Sequence, residues 1–197
     1  MIFKITIRIG LILMLLSVSP IIIFDLKGQN CRTINNTVIT TNYLYTSNSE
    51  GIKMPFNDSW IILLENQNAV IVALAERNGK ASAGIVKNRN GFFVRNAHQI
   101  AENMIYDLIR MAGIEMDKNT IRNLRIKNIP VKEIEFEYTL YNLNEKYLMA
   151  GLIYVVVKGN YSYLFIFSSE VEDKICFYPF FREVMKNTFY DPQWYRG

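Results

Sequence analysis

The stretch KYLMAGLIYVVVKGNYSYLFIFS, residues 146–168, decides the fold. Two runs rich in β-branched and aromatic side chains, Lys146–Val157 and Tyr161–Ser168, flank Lys158-Gly159-Asn160. Such side chains fit a pleated, buried surface, and a short turn with Gly and Asn lets the chain reverse on itself. The segment predicts an antiparallel hairpin. Upstream, Val131 to Leu140 alternates Ile134, Phe136 and Tyr138 against Glu133, Glu135 and Glu137. A period of two with acids on one side predicts a sheet with one buried and one solvated face. Leu124-Arg125-Ile126-Lys127 alternates in the same way, and Asn128-Ile129-Pro130 reads as a polar break within that strand-like stretch.

Helical signals bracket this region. Asn96 can cap a first turn with Gln99 three residues on, and Ile100, Met104, Ile105, Leu108, Ile109 and Ala112 recur on one face. Gly113 then stops an Ala97–Ala112 helix. Glu172–Asn187 reads as a second helix, with Ile175, Tyr178 or Pro179, Phe181, Val184 and Met185 on a face and Pro179 demanding an early kink or a start near it. Before the first helix, Trp60–Leu64, Ala69–Ala75 and Ala81–Val86 read as strands, joined at Glu65–Asn68 and at Asn78-Gly79. Thr46–Gly51 reads as a loop, Met54–Trp60 as an entry turn, and Val38–Tyr45 as a modest strand candidate.

This order of elements resembles the PsbP/DcrB-like superfamily, whose domains are α/β/α sandwiches on an antiparallel sheet. The likeness runs from about Val38 to Phe189. Its most telling part is Gly159–Ser168 followed by a helix that ends in Asn187-Thr188-Phe189. The resemblance implies an antiparallel sheet of about five to seven strands flanked by helices. It also implies export, because the superfamily includes extracytoplasmic bacterial lipoproteins and secreted small domains. It carries over no catalytic residue, and no ion-binding position of the photosynthetic branch matches this chain.

The N-terminus agrees with that address. Lys4 and Arg8 precede an uncharged run from Ile9 to Phe24, interrupted by Ser17, Ser19 and Pro20, and a polar exit reaches Gly28-Gln29. A basic start, an apolar middle and a polar exit are what secretion machinery reads, so residues 1–28 are expected to be a signal peptide or an N-terminal anchor. Residues 29–50 read as a polar extension and 51–197 as the domain. Membrane association would run through the first segment. The formal charge of +4 falls to +2 without residues 1–28, and the basic residues are scattered, which excludes a nucleic-acid footprint. Cys31 and Cys176 are the chain's two cysteines; in an oxidising compartment they can bridge, while the plain alternative is a buried Cys176 and a lone Cys31.

No catalytic or cofactor motif occurs, and neither catalysis nor a cofactor is expected. His98 is the single histidine, so zinc ligation and Ser–His or Cys–His catalysis lack their usual partners. A hydrolase would have to gather Asp58, Ser59 and His98 from distant loops. A small-ligand or metal-ion binder would use the Glu133, Glu135 and Glu137 face, for which a solvated sheet surface is the plainer reading. The surplus of aromatics after the last helix, Tyr190, Trp194 and Tyr195, reads as partner-contact groups or as a tail wrapped on the domain. Together these features predict a non-enzymatic, cofactor-free extracytoplasmic accessory or binding protein with a protein partner, supporting an envelope or membrane-associated assembly.

Overall fold

The computed structural model describes residues 45–90, 96–112, 118–142, 145–189 and 191. The expected signal or anchor at 1–28, Cys31 and all but the last residue of the strand candidate Val38–Tyr45 lie outside them. So do the stop residue Gly113 and the aromatics Tyr190, Trp194 and Tyr195. A short hairpin, β1 (Tyr45–Ser47) and β2 (Ile52–Met54), comes first. Then follow β3 (Trp60–Gln67), β4 (Val70–Glu76), β5 (Ala81–Arg89), α1 (Ala97–Ala112), β6 (Lys118–Ile126), β7 (Ile129–Asn142), β8 (Glu145–Lys158), β9 (Tyr161–Glu170) and α2 (Lys174–Thr188). Strands β3 to β9 form one seven-stranded sheet in the order β3-β4-β5-β9-β8-β7-β6, antiparallel throughout.

The predicted hairpin is β8–β9, turning at Gly159, whose φ of +56° glycine adopts without strain. Each face of the sheet is covered. On one side α1 lies over β7 and β8, burying Ala101 and Met104 against Ile134, Phe136 and Ile153. The predicted cap is in place: the Gln99 amide donates to Asn96 Oδ1 at 2.9 Å. On the other side α2 and the β1–β2 hairpin bury a larger aromatic core. There Trp60 stacks on Phe180 with centroids 5.9 Å apart, and Phe181 stacks on Phe167 at 4.9 Å and on Phe177 at 5.6 Å. The result is an α/β/α sandwich on an antiparallel sheet.

Three expectations are corrected by this arrangement. The face bearing Glu133, Glu135 and Glu137 is not a solvated outer surface: Glu133 is 1% exposed. Alternation distinguishes two faces but does not say what lies on each, and α2 covers this one. The break at Asn128-Ile129-Pro130 is a reversal between two strands. Lys127 and Asn128 have φ of 48° and 69°, both positive as a two-residue hairpin turn requires, and Ile126 pairs with Ile129. Thirdly, the loop and entry turn around Gly51 hold the β1–β2 hairpin. Tyr45 and Ile52 are core residues, and Glu50 is tied to the sheet by Lys87 at 2.7 Å and by the Tyr163 hydroxyl at 2.6 Å.

Pro179 lies inside α2 rather than at its start. It cannot donate to the carbonyl of Ile175 four residues before. Both residues sit on the exposed side, where water can satisfy that carbonyl.

Gly151 lets two strands close over an aromatic ring. It is the cross-strand partner of Phe136, and a Cβ there would lie 2.6 Å from Phe136 Cε1. Phe136 is fully buried and has nowhere to go. Gly151→Ala is therefore expected to lose roughly 1–3 kcal/mol of stability through overpacking. Urea unfolding checks this, and Phe136→Leu in the Gly151→Ala background should recover part of the loss.

Candidate functional site

The densest constellation of polar groups lies where side chains of α2 reach β7 and its neighbour β6. Glu133, Glu135 and Glu137 occupy successive same-side positions on β7. Arg182 forks onto Glu133, Nε to Oε2 at 3.3 Å and Nη2 to Oε1 at 3.1 Å, and its Nη2 also reaches Glu135 at 3.4 Å. Roughly two turns earlier on the helix, Lys174 bridges Glu135 at 2.8 Å and Glu137 at 3.1 Å. Arg122, the cross-strand partner of Glu133, closes the network from β6, lying 3.8 Å from Glu133 and 3.5 Å from Glu135.

Three carboxylates thus meet three cations. Burial works against the Glu135 carboxylate, but the Lys174 hydrogen bond and charge, with Arg182 and Arg122, outweigh it and hold its pKa below the usual range. The hydrogen bond to Glu133 holds Arg182 firmly protonated. Burial, then the charges of Glu135 and Glu137, push the Tyr178 phenol up. Its hydroxyl donates to the Gly151 carbonyl at 3.0 Å, and Lys174 lies 5.0 Å above its ring. The chemistry of this network is attachment: it fixes a helix to a sheet. With every acid matched by a base, it offers no open carboxylate set for calcium, and among the described residues no three His, Cys, Asp or Glu side chains are placed to hold a metal ion.

Outside the network α2 presents a different surface. Ile175 is 77% exposed, Pro179 follows it on the same side, and a shallow depression of about 530 Å³ lies between them, Arg122 and Glu172. The helix ends at Phe189, which is fully buried against Phe165 and bridges Ile52. Lys127 Nζ donates to the Phe189 carbonyl at 2.8 Å. The segment carrying Tyr190, Trp194 and Tyr195 therefore departs from a fixed anchor. Cys176, 4% exposed on the first turn of α2, is disulfide-bonded.

The hydrolase suspects are not brought together. Ser59 Oγ donates to Asn57 Oδ1, and the Asp58 carbonyl accepts from Arg77 Nε at 2.9 Å. His98 pairs with Glu102 at 3.1 Å on the exposed side of α1. Helix α1 packs on β7 and β8, whereas Ser59 leads into β3, four strands from β8 and so roughly 19 Å away across the sheet. An open depression of about 690 Å³ beside His98, lined also by Asn123, Pro130, Lys132 and Val157, holds no nucleophile and base in contact. Among the described residues no helix is long and apolar enough to cross a membrane. Sequence reasoning missed Arg182 and Lys174 as partners of the β7 acids; the signal was two cations eight residues apart on one helix, facing three acids at strand spacing.

A fully antiparallel seven-stranded sheet with a helix on each face is the PsbP type of sandwich, and that is the class of fold this chain has. It is similar to the cyanobacterial PsbP (CyanoP) of Synechocystis sp. PCC 6803, at a TM-score of 0.57 and 11% identity over 75% of this chain and 91% of that one. It is also similar to LpqN of Mycobacterium tuberculosis, a protein involved in cell envelope biogenesis, at a TM-score of 0.51 and 10% identity over 70% of this chain and 82% of that one. At such identities the likeness is one of fold. Neither a family model nor a curated protein sequence matches the chain.

Proposed function

We propose that this is a non-enzymatic, extracytoplasmic accessory protein that docks a protein partner of an envelope or membrane-associated assembly. The observation that carries this reading is the division of labour on α2. Lys174 and Arg182 are consumed in fastening it to the sheet, while Ile175 and Pro179 face outward and Phe189, its last described neighbour, is buried. Exposed aliphatic groups on a rigid support suit protein contact better than chemistry. The separation of His98 from Asp58 and Ser59 favours the same side of the choice. A disulfide at Cys176 supports an oxidising compartment; with Cys31 the other cysteine of the chain, we assign the bridge to Cys31–Cys176. The apolar run from Ile9 to Phe24 would direct export, and the shared fold of LpqN, a protein of cell envelope biogenesis, points to the same setting.

Two measurements test the reading. N-terminal sequencing of the protein from a fractionated host should find it outside the cytoplasm, cleaved near Gly28 or anchored; an intact Met1 on a soluble cytoplasmic form would sink the export half. Affinity capture from envelope extracts should recover a defined partner, and Trp194→Ala with Tyr195→Ala should lose it. A partner retained by the double variant refutes the docking role of the tail. Turnover of any substrate that disappears in His98→Ala overturns the non-enzymatic reading.

A further inference from the structure

The disulfide at Cys176 sets one end of the sandwich relative to the membrane. Lys4 and Arg8 keep the start of the apolar run Ile9 to Phe24 on the cytoplasmic side, so Phe24 marks its outer end. Cleavage after Gly28 would put the bulky Leu26 where a signal requires a small residue, which favours a retained anchor. From Phe24 to Cys31 the chain reaches about 25 Å at full extension. The bridge adds at most about 7 Å to the Cα atom of Cys176. Cys176 lies on the first turn of α2, at the end of the sheet where β8 begins and β9 finishes. There the Val171 amide donates to the Leu148 carbonyl at 3.0 Å. The turn at Gly159 stands about 37 Å away along β8. An inverted domain would stretch the tether to its limit, so the end carrying Leu148 and Ile175 is the one held near the bilayer.

That end exposes aliphatic side chains. Leu148 is 45% and Ile175 77% exposed, and Val171 and Ile175 line the same depression. The charges around them are mixed. Glu170 and Glu172 stand against Lys146, while Asp173 engages Lys80 at 3.2 Å and Glu135 and Glu137 engage Lys174. Anionic headgroups call for a cluster of Lys and Arg, so this surface suits a protein better than bare lipid. We propose that Leu148, Val171 and Ile175 dock, at the level of the outer headgroups, on the exposed face of an integral membrane protein. The Cys31–Cys176 bridge and the short segment before it hold the domain in that orientation. The inference rests on the exported, docking reading above and names the class of its partner. A short bridged tether confines the surface to a thin layer beside the bilayer and so raises its effective concentration toward a membrane-embedded protein.

Photo-crosslinking of the full chain in its host membrane tests it, with benzoylphenylalanine in place of Leu148 or Ile175, and of Tyr161 beside the far turn as the control. The expected result is adducts from positions 148 and 175, and none from 161, with a protein that stays in carbonate-washed membranes. Inserting about twenty Gly and Ser residues between Gly28 and Gln29 leaves the folded domain and its bridge alone, and should lower the adduct yield several-fold. Adducts with a soluble protein, or a yield that the insertion leaves unchanged, overturn the inference while the docking reading stands. Adducts with lipid alone overturn both. A chain that washes off the membranes with its first residues removed overturns the inference as well.

Discussion

Replacing Phe181 by alanine is expected to destabilise the domain by roughly 3–5 kcal/mol. Phe181 is fully buried in the centre of the aromatic core. It stacks on Phe167 and Phe177 and meets Trp60 edge-on at 6.2 Å. These rings come from β3, β9 and α2 itself, so no single element can move to fill the space. The cost then combines lost transfer free energy with a cavity that stays open. Thermal unfolding should show a fall in midpoint of about 10 °C. Phe181→Leu, which keeps most of the volume, should cost about 1.5 kcal/mol or less. A loss below that for Phe181→Ala would mean that the core collapses around the gap.

The second large effect concerns Arg182. Arg182→Ala leaves Glu133, whose side chain is 2% exposed, with Arg122 at 3.8 Å as its remaining ion-pair partner. A buried carboxylate robbed of its fork is costly, and roughly 2–4 kcal/mol should be lost. The cost belongs to the stranded charge more than to the pair, so Arg182→Met combined with Glu133→Gln should recover most of it. Urea midpoints of the single and double variants decide this, and a double variant as weak as Arg182→Ala would refute it. The network also sets the acid response. Glu135 has a lowered folded pKa, so its contribution is fully present above the ordinary carboxylate value of 4.5 and is lost as pH falls through the lowered one.

Much of this architecture is written locally. The capped helix after Asn96 and the hairpin at Gly159 appear where their spacing and turn residues place them, because both are decided by neighbours along the chain. The reversal at Lys127-Asn128 is harder to see. Neither residue is glycine, and the following Pro130 looks like an interruption when it is the second residue of a strand paired with the sheet edge. The burial of Glu133 is not legible at all. It depends on Arg182 and Lys174 arriving from a helix some forty positions later, and alternation alone assigns an acid to water. Among the candidate site residues, the sequence points to Cys176 as a cysteine that can bridge and to the end of α2 as a place for aromatics. It does not indicate that Ile175 and Pro179 share the exposed side of that helix.

The position of β9 has a consequence for how the chain comes to be folded. Strands β3 to β5 form one meander and β6 to β8 another, and β9 is the seam between them, joining Ala81 to Ser169 on one side and Met149 to Glu170 on the other. Each half carries a raw inner edge until that seam is sewn, and α2, which must lie across both halves, follows it. Order in the whole sheet therefore waits for the last strand made. Long-range closure of this kind is slow compared with helix formation.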